Sequence, residues 1–304
     1  MRTPPPPSDI TTIFPALRGY ERTTTMLHPT PGDPGVRDSS IGGPLLWPAD
    51  EPWPRHAYGS RSDRAPQTEP LPLVPGAQLW VRDLPDLPHP PGKDLLQVLW
   101  VPDDSVDCLY GSQQGDPVDE YFRVFWRDSA DITDLLPNPP LPDPDTGVRD
   151  DGILVDDSYL PVPCTLDPEQ VTEYPPAWIL GEEFYDHVRE QDERLGTWYQ
   201  AVNTHADGCK VGGWPADSNI GGPYHGWFTC DCGTRMEALL TIASMEVRHT
   251  PATAPSSYRT PAEQPMGMGT ALTEPTGLAV GDHTYLQIFY CPTSWDHPIR
   301  RYPM

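Results

Sequence analysis

Basic side chains are scarce in this chain of 304 residues. It has 20 Lys and Arg against 44 Asp and Glu, which gives a formal net charge of −24. The average field of such a surface repels a phosphate backbone, so the composition argues against nucleic acid as a partner. The charge instead favours basic or neutral partners, namely a cationic peptide, a basic partner protein or a metal ion. The sequence leaves the oligomeric state open.

Long apolar runs are also missing. No run approaches the ~18 apolar residues of a membrane span. The start of the chain, Met1-Arg2-Thr3 followed by four prolines, lacks the apolar segment of an export signal. We therefore expect no membrane insertion and a cytoplasmic location. Six cysteines are too few for a disulfide scaffold in a chain of this length, and we expect them to be reduced.

The familiar catalytic signatures are absent as well. The sequence contains no Gly-x-Ser-x-Gly elbow, P-loop, His-Glu-x-x-His or dinucleotide-binding fingerprint. This favours a non-catalytic module that binds a peptide or a protein. The alternative is a zinc- or thiol-dependent enzyme acting on a small molecule. In a thiol-dependent enzyme, Cys230 or Cys232 would be the nucleophile and His225 the base.

Proline, in contrast, is abundant, at 42 residues. It lacks a backbone donor and restricts the residue before it, so long helices and central strands must lie between prolines. Trp, Tyr and Phe cluster with aliphatic residues in short runs, which indicates a folded body. The chain divides into a proline-rich N-terminal arm (1–35), a first β-rich repeat (36–136), an acidic, proline-rich connector with a helix (137–208), and a second β-rich repeat with a cysteine cluster (209–304).

Short runs of β-branched and aromatic residues, bounded by Pro, Gly or Asp, predict the strands. These runs are 77–81, 95–101, 121–126, 239–244 and 285–291. The gaps between the first three are too short for a helix in each, so we expect antiparallel or mixed sheets. Residues 178–201 predict a packing helix, because Phe184, Val188 and Leu195 share one face. The predicted fold class is mainly β (α+β), with a few packing helices.

Similar segments recur in the two halves of the chain. Ile41-Gly42-Gly43-Pro44-Leu45-Leu46-Trp47-Pro48 matches Val211-Gly212-Gly213-Trp214-Pro215, and residues 79–81 match 240–242. The strongest match relates 96–102 to 286–292, where Leu-Gln-aliphatic-x-aromatic-x-Pro recurs in register. We interpret this as a duplicated β-rich unit.

Two packed copies would bring both Gly-Gly segments and their tryptophans to a common seam, where pockets commonly form. Adjacent glycines allow a close backbone approach, and an aromatic seam suits a cationic peptide. We therefore predict a binding site there, and the alternative for the tryptophans is a place in the core. The candidate binding residues are Gly42, Gly43, Trp47, Trp53, Lys210, Gly212, Gly213 and Trp214, and further tryptophans of the same seam are Trp80, Trp100 and Trp227.

The order of these segments resembles the YwqG-like family of bacterial proteins of unknown function. The resemblance covers residues 26–304 and is carried by the two Gly-Gly segments, by the two Leu-Gln strands and by the cysteine pair. It implies a duplicated, mainly β fold without an established activity. The second half is also similar in outline to the C-terminal domain of the programmed-cell-death-protein-2 group, which is thought to chaperone a ribosomal protein. A chaperone-like or immunity-like binding role is the corresponding expectation.

Three cysteines and a histidine form a candidate metal site. Cys230 and Cys232 are close in sequence, and Cys291 and His297 follow the last predicted strand, which gives the mixed sulfur and nitrogen set of structural zinc. If the strands 239–244 and 285–291 are neighbours, Cys291 reaches the pair. The family resemblance leads one to expect Cys-x-x-Cys where this chain has Cys-x-Cys. The alternatives are thiols packed in the core, or a ligand set that includes Cys209 or His225.

Overall fold

A computed structural model describes residues 9–56, 70–102, 122–140, 155–175, 177–195, 208–215, 229–248, 271–279 and 285–303. Within these ranges the protein is mainly β, as predicted, and all strand pairs are antiparallel. No helix among these residues is both long enough and apolar enough to cross a membrane.

The described strands fall into two six-stranded and two two-stranded sheets. In chain order they are β1 (Arg22–Met26), β2 (Thr30–Pro31), β3 (Ser40–Ile41), β4 (Arg55–His56), β5 (Leu71–Pro72), β6 (Val74–Trp80), β7 (Leu95–Trp100), β8 (Phe122–Arg127), β9 (Cys164–Thr165), β10 (Glu169–Glu173), β11 (Lys210–Gly212), β12 (Glu237–Ala243), β13 (Glu246–Arg248), β14 (Ala271–Thr273), β15 (Tyr285–Tyr290) and β16 (Arg300–Pro303). The α-helices are α1 (Ile10–Ile13) and α2 (Glu182–Leu195), and short 3-10 helices cover Pro15–Leu17, Ser129–Asp131, Asp157–Tyr159 and Ala177–Leu180.

The two large sheets share one core. Sheet I has the order β2-β9-β3-β6-β7-β8, and sheet II has the order β10-β1-β11-β12-β15-β16. A single cluster of buried side chains contains Leu79 and Trp100 from sheet I together with Val211, Leu240 and Ile288 from sheet II. The central strands are buried along almost their whole length, which explains why they are continuous apolar runs in the sequence.

Five of these strands agree with the sequence prediction. β6, β7, β8, β12 and β15 coincide with the predicted runs to within a few residues. Residue 121, the first of one predicted strand, lies outside the described residues. The β-branched and aromatic character of these runs therefore located the centres of both sheets.

The segments predicted as an arm and a connector also contribute strands. β1, from the arm, lies between β10 and β11 in sheet II, and β9, from the connector, lies between β2 and β3 in sheet I. β1 is the polar run Arg-Thr-Thr-Thr-Met and lacks the apolar character of the predicted strands. Its neighbours supply its hydrogen bonds, so its place in the sheet depends on tertiary pairing.

The predicted packing helix begins later than expected. α2 covers Glu182–Leu195, and Gly181, with a φ of +101°, separates it from the preceding 3-10 helix. Val188 packs against Phe14 and Leu17 of the N-terminal segment, in a cluster separate from the main core. Residues 196–201 of the predicted helix lie outside the described residues.

Two glutamine amides lie buried inside sheet I. Gln97 Nε2 donates to Gln78 Oε1 (2.9 Å) and to the Leu46 carbonyl (3.0 Å). Gln78 Oε1 also accepts from the Leu46 N–H (2.7 Å), and Gln78 Nε2 donates to the carbonyls of Val36 and Asp38. Because an unpaired buried amide is costly, this network fixes the loop that carries the first Gly-Gly pair. The Leu-Gln motif therefore has a structural use in sheet I.

Candidate metal centre

A tight turn between Thr229 and Arg235 presents the first two cysteines. The two ends pair as an antiparallel bridge, and the Cys230 N–H donates to the Thr234 carbonyl (2.8 Å). The Gly233 N–H donates to the Cys230 carbonyl (2.8 Å), and Gly233 adopts a φ of +84°, which favours glycine. Side chains two positions apart point to the same face of a strand, and this turn likewise lets both thiols face one point.

The pairing of β12 with β15 brings the other two ligands to this turn. Glu237, at the start of β12, pairs with Tyr290, so Cys291 lies next to the turn. After Cys291 the chain turns back, and His297 Nδ1 lies 3.2 Å from Cys291 Sγ. A hydrogen bond of 3.0 Å between the hydroxyls of Thr234 and Thr293 joins the two loops. The pairing predicted for the strands 239–244 and 285–291 is thus confirmed.

Two of the distances between the ligand atoms are close to the edges expected around one tetrahedral ion. Cys232 Sγ and Cys291 Sγ are 3.7 Å apart, Cys230 Sγ and His297 Nδ1 are 3.5 Å apart, and all four ligand atoms lie within 4.8 Å of one another. Zinc bonds of about 2.3 Å to sulfur and about 2.05 Å to nitrogen give tetrahedral edges of about 3.8 Å between sulfurs and about 3.6 Å between sulfur and nitrogen. These four residues could therefore hold a metal ion, and zinc is compatible with the set.

Hydrogen bonds to the sulfurs favour thiolates. Burial acts to raise the pKa of the Cys291 thiol, but His297 and the backbone N–H groups of Thr293 and Ser294 outweigh it and bring that pKa to about 6. The hydroxyl and N–H of Thr234 lower the pKa of the Cys232 thiol. Such outer hydrogen bonds are typical of protein metal sites.

The other two groups of the cluster shift the opposite way. The Cys232 N–H acts to lower the pKa of Cys230, but burial and the neighbouring thiols raise that pKa overall. The hydrogen bond to the Cys291 sulfur raises the pKa of His297. The cluster thus favours negative charge on Cys232 and Cys291 next to an imidazole, and a divalent cation would compensate that charge.

The cluster lies at the edge of the protein. Cys230 and Cys291 are buried with Met236 and Phe289, whereas His297 is half-buried and Cys232 is exposed. Four protein ligands leave no open position on a tetrahedral ion, which is the arrangement of structural zinc sites.

The alternative ligands named from the sequence do not join this cluster. Cys209 is fully buried elsewhere, where its sulfur accepts from the Ala243 N–H (3.3 Å). Burial, followed by the charge of Glu246, raises the pKa of this thiol. His225, the other alternative ligand and the base of the thiol hypothesis, lies outside the described residues.

The candidate binding residues of the first half lie inside the protein. Trp47 and Trp53 are buried with ring centroids 5.0 Å apart, and both indole N–H groups donate to backbone carbonyls (3.0 and 2.8 Å). Gly43 is buried and Gly42 half-buried, and a Cβ on Gly42 would lie 2.8 Å from the Pro161 carbonyl oxygen. Trp80 and Trp100 are likewise buried, and Trp227 lies outside the described residues.

The candidate binding residues of the second half gather around a buried ion pair. Lys210 Nζ lies 2.7 Å from Glu173 Oε2, and the two side chains are 0% and 2% exposed. The other oxygen of Glu173 accepts from the Trp214 N–H. A Cβ on Gly213 would overlap this carboxylate, and Gly212 also has a positive φ, of 68°. The atoms nearest to this Gly-Gly pair thus belong to other residues than those nearest to Gly42 and Gly43.

Sequence reasoning missed the partners of these residues. Glu173 was one of 44 acidic residues and carries no local signal for its pairing with Lys210. It also missed a cleft beside Trp214 that is lined by two arginines, Arg22 and Arg235. Arg22 lies with its guanidinium carbon 3.9 Å from the Trp214 ring centroid. The one sequence signal for this cleft was that Arg235 lies three residues after Cys232 and therefore close to the candidate metal ligands.

The fold and the clustered ligands define a mainly β protein with a candidate metal centre. The family described as "Domain of unknown function (DUF1963)" matches residues 39–247, which is more than two thirds of the chain. The chain belongs to this family, in agreement with its resemblance to YwqG-like proteins. The match contains Cys230 and Cys232 and ends before Cys291 and His297. No curated protein matches the chain, and the resemblance to the programmed-cell-death-protein-2 group stays a prediction.

Proposed function

We propose that this protein is a non-catalytic binding module whose second half is stabilised by zinc. The observation that carries the proposal is the set Cys230, Cys232, Cys291 and His297, whose ligand atoms lie within 4.8 Å of one another. Zinc there would join the turn before β12 to the loop after β15, which are about 60 residues apart in sequence, and so restrict the unfolded chain. It would act on stability and would not take part in a reaction.

Metal analysis of the purified protein tests the zinc site. We expect one zinc per chain by elemental analysis and native mass spectrometry, and X-ray absorption with three sulfur ligands and one nitrogen ligand. Cys291→Ser removes one ligand and should lower the zinc content and the melting temperature. Cys164→Ser is the matched control, because Cys164 is a buried thiol outside the cluster, and it should retain the metal. The proposal would be contradicted if the protein is purified without metal and its melting temperature does not change when a chelator is added.

We further propose that the scaffold is a duplicated unit. Neighbouring strands occur in the same order in both large sheets: a short strand next to a Gly-Gly pair, a long strand, a Leu-Gln strand and an edge strand. These strands are β3, β6, β7 and β8 in sheet I, and β11, β12, β15 and β16 in sheet II. Each central pair also has one register shift, between Pro75 and Ala77 in sheet I and between Ala238 and Leu240 in sheet II. A shared strand order and a shared irregularity support a common origin of the halves.

The strand registers refine this internal alignment. Gln97 pairs with Gln78, and Gln287, its counterpart in the second half, pairs with Thr241. Thr241 therefore corresponds to Gln78, whereas the comparison of letters places it opposite Trp80. The two alignments differ by two residues, which leaves every side chain on the same face. The alternation of apolar and polar residues is the same in both alignments, so it could not show which of them is correct.

The partner that we propose is a peptide or protein with basic side chains, in a chaperone-like or immunity-like role. The net charge of −24 supports this choice, because it attracts cations over the range of a Debye length. Free cysteines such as Cys164 and Cys209 fit a reducing compartment, and we propose the cytoplasm. A fluorescent cationic peptide should bind more tightly at low salt than an uncharged peptide of equal length. Equal binding of the two peptides would refute a basic partner.

A zinc-dependent enzyme is the second candidate. It is favoured by the exposure of Cys232, because loss of this one ligand would open a coordination position towards solvent. X-ray absorption separates the two candidates. Three sulfurs and one nitrogen indicate a closed structural site, whereas two sulfurs, one nitrogen and a water oxygen indicate an open one.

A further inference from the structure

A cleft beside the metal cluster is lined by more basic than acidic side chains, although the protein as a whole is acidic. It is lined by the start of β1, by Trp214-Pro215 and by the segment from Arg235 to Ala238. Two arginines and one glutamate, Arg22, Arg235 and Glu237, belong to this lining, so the cleft carries a local surplus of one positive charge. The whole chain, in comparison, has a net charge of −24.

One of the two arginines is held in place. Arg22 donates to the Gly213 carbonyl (3.2 Å) and lies with its guanidinium carbon 3.9 Å from the centroid of the Trp214 ring. Its contact with Glu237 is long, at 3.7 Å, and Glu237 also accepts from the Tyr290 hydroxyl (3.1 Å). The Glu237 carboxylate thus interacts with both Arg22 and the Tyr290 hydroxyl.

The second arginine has its hydrogen-bonding capacity available. Within the part of the chain that the structure describes, the Arg235 guanidinium has no hydrogen bond or ion pair. Burial of part of the side chain, followed by the charge of Arg22, lowers the pKa of this guanidinium, and Glu237 opposes the shift only partly. Two like charges at one cleft favour a ligand that neutralises them.

We propose that this cleft binds a carboxylate attached to an apolar group. A guanidinium presents paired N–H donors that match the two oxygens of a carboxylate, and Arg22 and Arg235 supply two such groups. A monoanion balances the single surplus charge, whereas a phosphate dianion would exceed it. Trp214, Pro215 and Met236 give the cleft an apolar wall for the group next to the carboxylate. The carboxylate could come from a free organic acid or from the C-terminus of a peptide.

This inference deepens the proposed binding role. It depends on that role only if the carboxylate is supplied by a peptide. NMR titration of the Trp214 indole N–H with N-acetyl-phenylalanine and with its amide tests the cleft alone. A hexapeptide ending in phenylalanine, as the free acid and as the amide, tests the peptide source. We expect both acids to bind at least tenfold more tightly than their amides, because charge-assisted hydrogen bonds are lost in the amide. Tighter binding of the peptide acid than of the small acid identifies a peptide C-terminus.

Substitutions at the cleft give the matched controls. Arg235→Gln should weaken binding of the small acid by about tenfold, and Arg235→Lys, which keeps the charge and loses the planar fork, should weaken it less. Arg82→Gln is the control, because Arg82 is an exposed arginine 3.9 Å from the ring centroid of Trp80, outside the cleft lining, and should leave binding unchanged. Circular dichroism and zinc content verify that each variant is folded. Equal affinity for the acids and the amides, or unchanged binding by Arg235→Gln, would overturn the carboxylate site, even if cationic peptides bind elsewhere.

Discussion

Replacing Lys210 with methionine distinguishes a structural role of this lysine from a binding role. Its ammonium lies 2.7 Å from Glu173, and neither side chain reaches solvent, with exposures of 0% and 2%. Lys210→Met keeps a similar volume and leaves the Glu173 carboxylate buried without its cation. Breaking a buried pair in this way costs about 3–5 kcal/mol, which is a large part of the roughly 5–15 kcal/mol that stabilises a typical domain.

The double variant Lys210→Met/Glu173→Gln provides the internal control. The glutamine is neutral and can still accept the hydrogen bond from the Trp214 N–H. We therefore expect the double variant to be more stable than Lys210→Met alone, with a coupling of about 1–3 kcal/mol between the two sites. A coupling of this size would trace that part of the penalty in Lys210→Met to the uncompensated charge of Glu173.

Urea unfolding followed by tryptophan fluorescence measures these differences by linear extrapolation. All variants are compared in zinc-saturated buffer, so that metal content is constant. A Lys210→Met variant within about 1 kcal/mol of the parent protein would refute the reasoning. A variant that keeps its stability and loses affinity for a cationic or carboxylate peptide would instead place Lys210 in a binding site.

Two further predictions concern the core. Gly76→Ala should cost about 1–3 kcal/mol in free energy of unfolding, because the new Cβ would overlap the fully buried ring of Trp100. Gly35→Ala is the control, because Gly35 is exposed and its Cβ would meet only the Asp38 carboxylate, at 3.2 Å. Equal losses in the two variants would contradict this account. Burial, followed by the charge of Glu246, raises the pKa of the Cys164 thiol to about 11. About 0.1% of it is then thiolate at pH 8, so iodoacetamide should not modify Cys164 until the protein unfolds. Mass spectrometry of the labelled native protein tests this, and rapid labelling at pH 8 would show that the thiol is accessible and ionised.

The strands at the centre of each sheet could be predicted because their signal is local. A buried strand such as β7 must be apolar along its length, and Leu95–Trp100 has that composition without reference to the rest of the chain. The polar strand β1 has no such signal, since its position follows from pairing with β10 and β11. The start of α2 was predicted too early, because its apolar spacing does not show that Ala177–Leu180 form a 3-10 helix, which Gly181 separates from α2.

The candidate metal ligands could be predicted because thiol and imidazole chemistry belongs to the residues themselves. The sequence also placed Cys291 near the pair, through the expected neighbourhood of two strands. The tryptophans behaved differently: the aromatic residues that suggested a seam, Trp47 and Trp53, are buried in the first half. An indole has the same composition in a core and in a binding site, so only its surroundings decide between the two.

The sequence alone determined that this is a folded, acidic, mainly β protein with one set of soft metal ligands, because composition, β propensity and ligand chemistry are properties of single residues and short runs. Tertiary structure alone decided that Lys210 faces Glu173, that Trp47 and Trp53 are buried together, and that Arg22 and Arg235 meet at one cleft. These contacts join residues that lie far apart in the chain. The energy of such a contact depends on distance and on exclusion of water, and neither of these can be read from the order of residues.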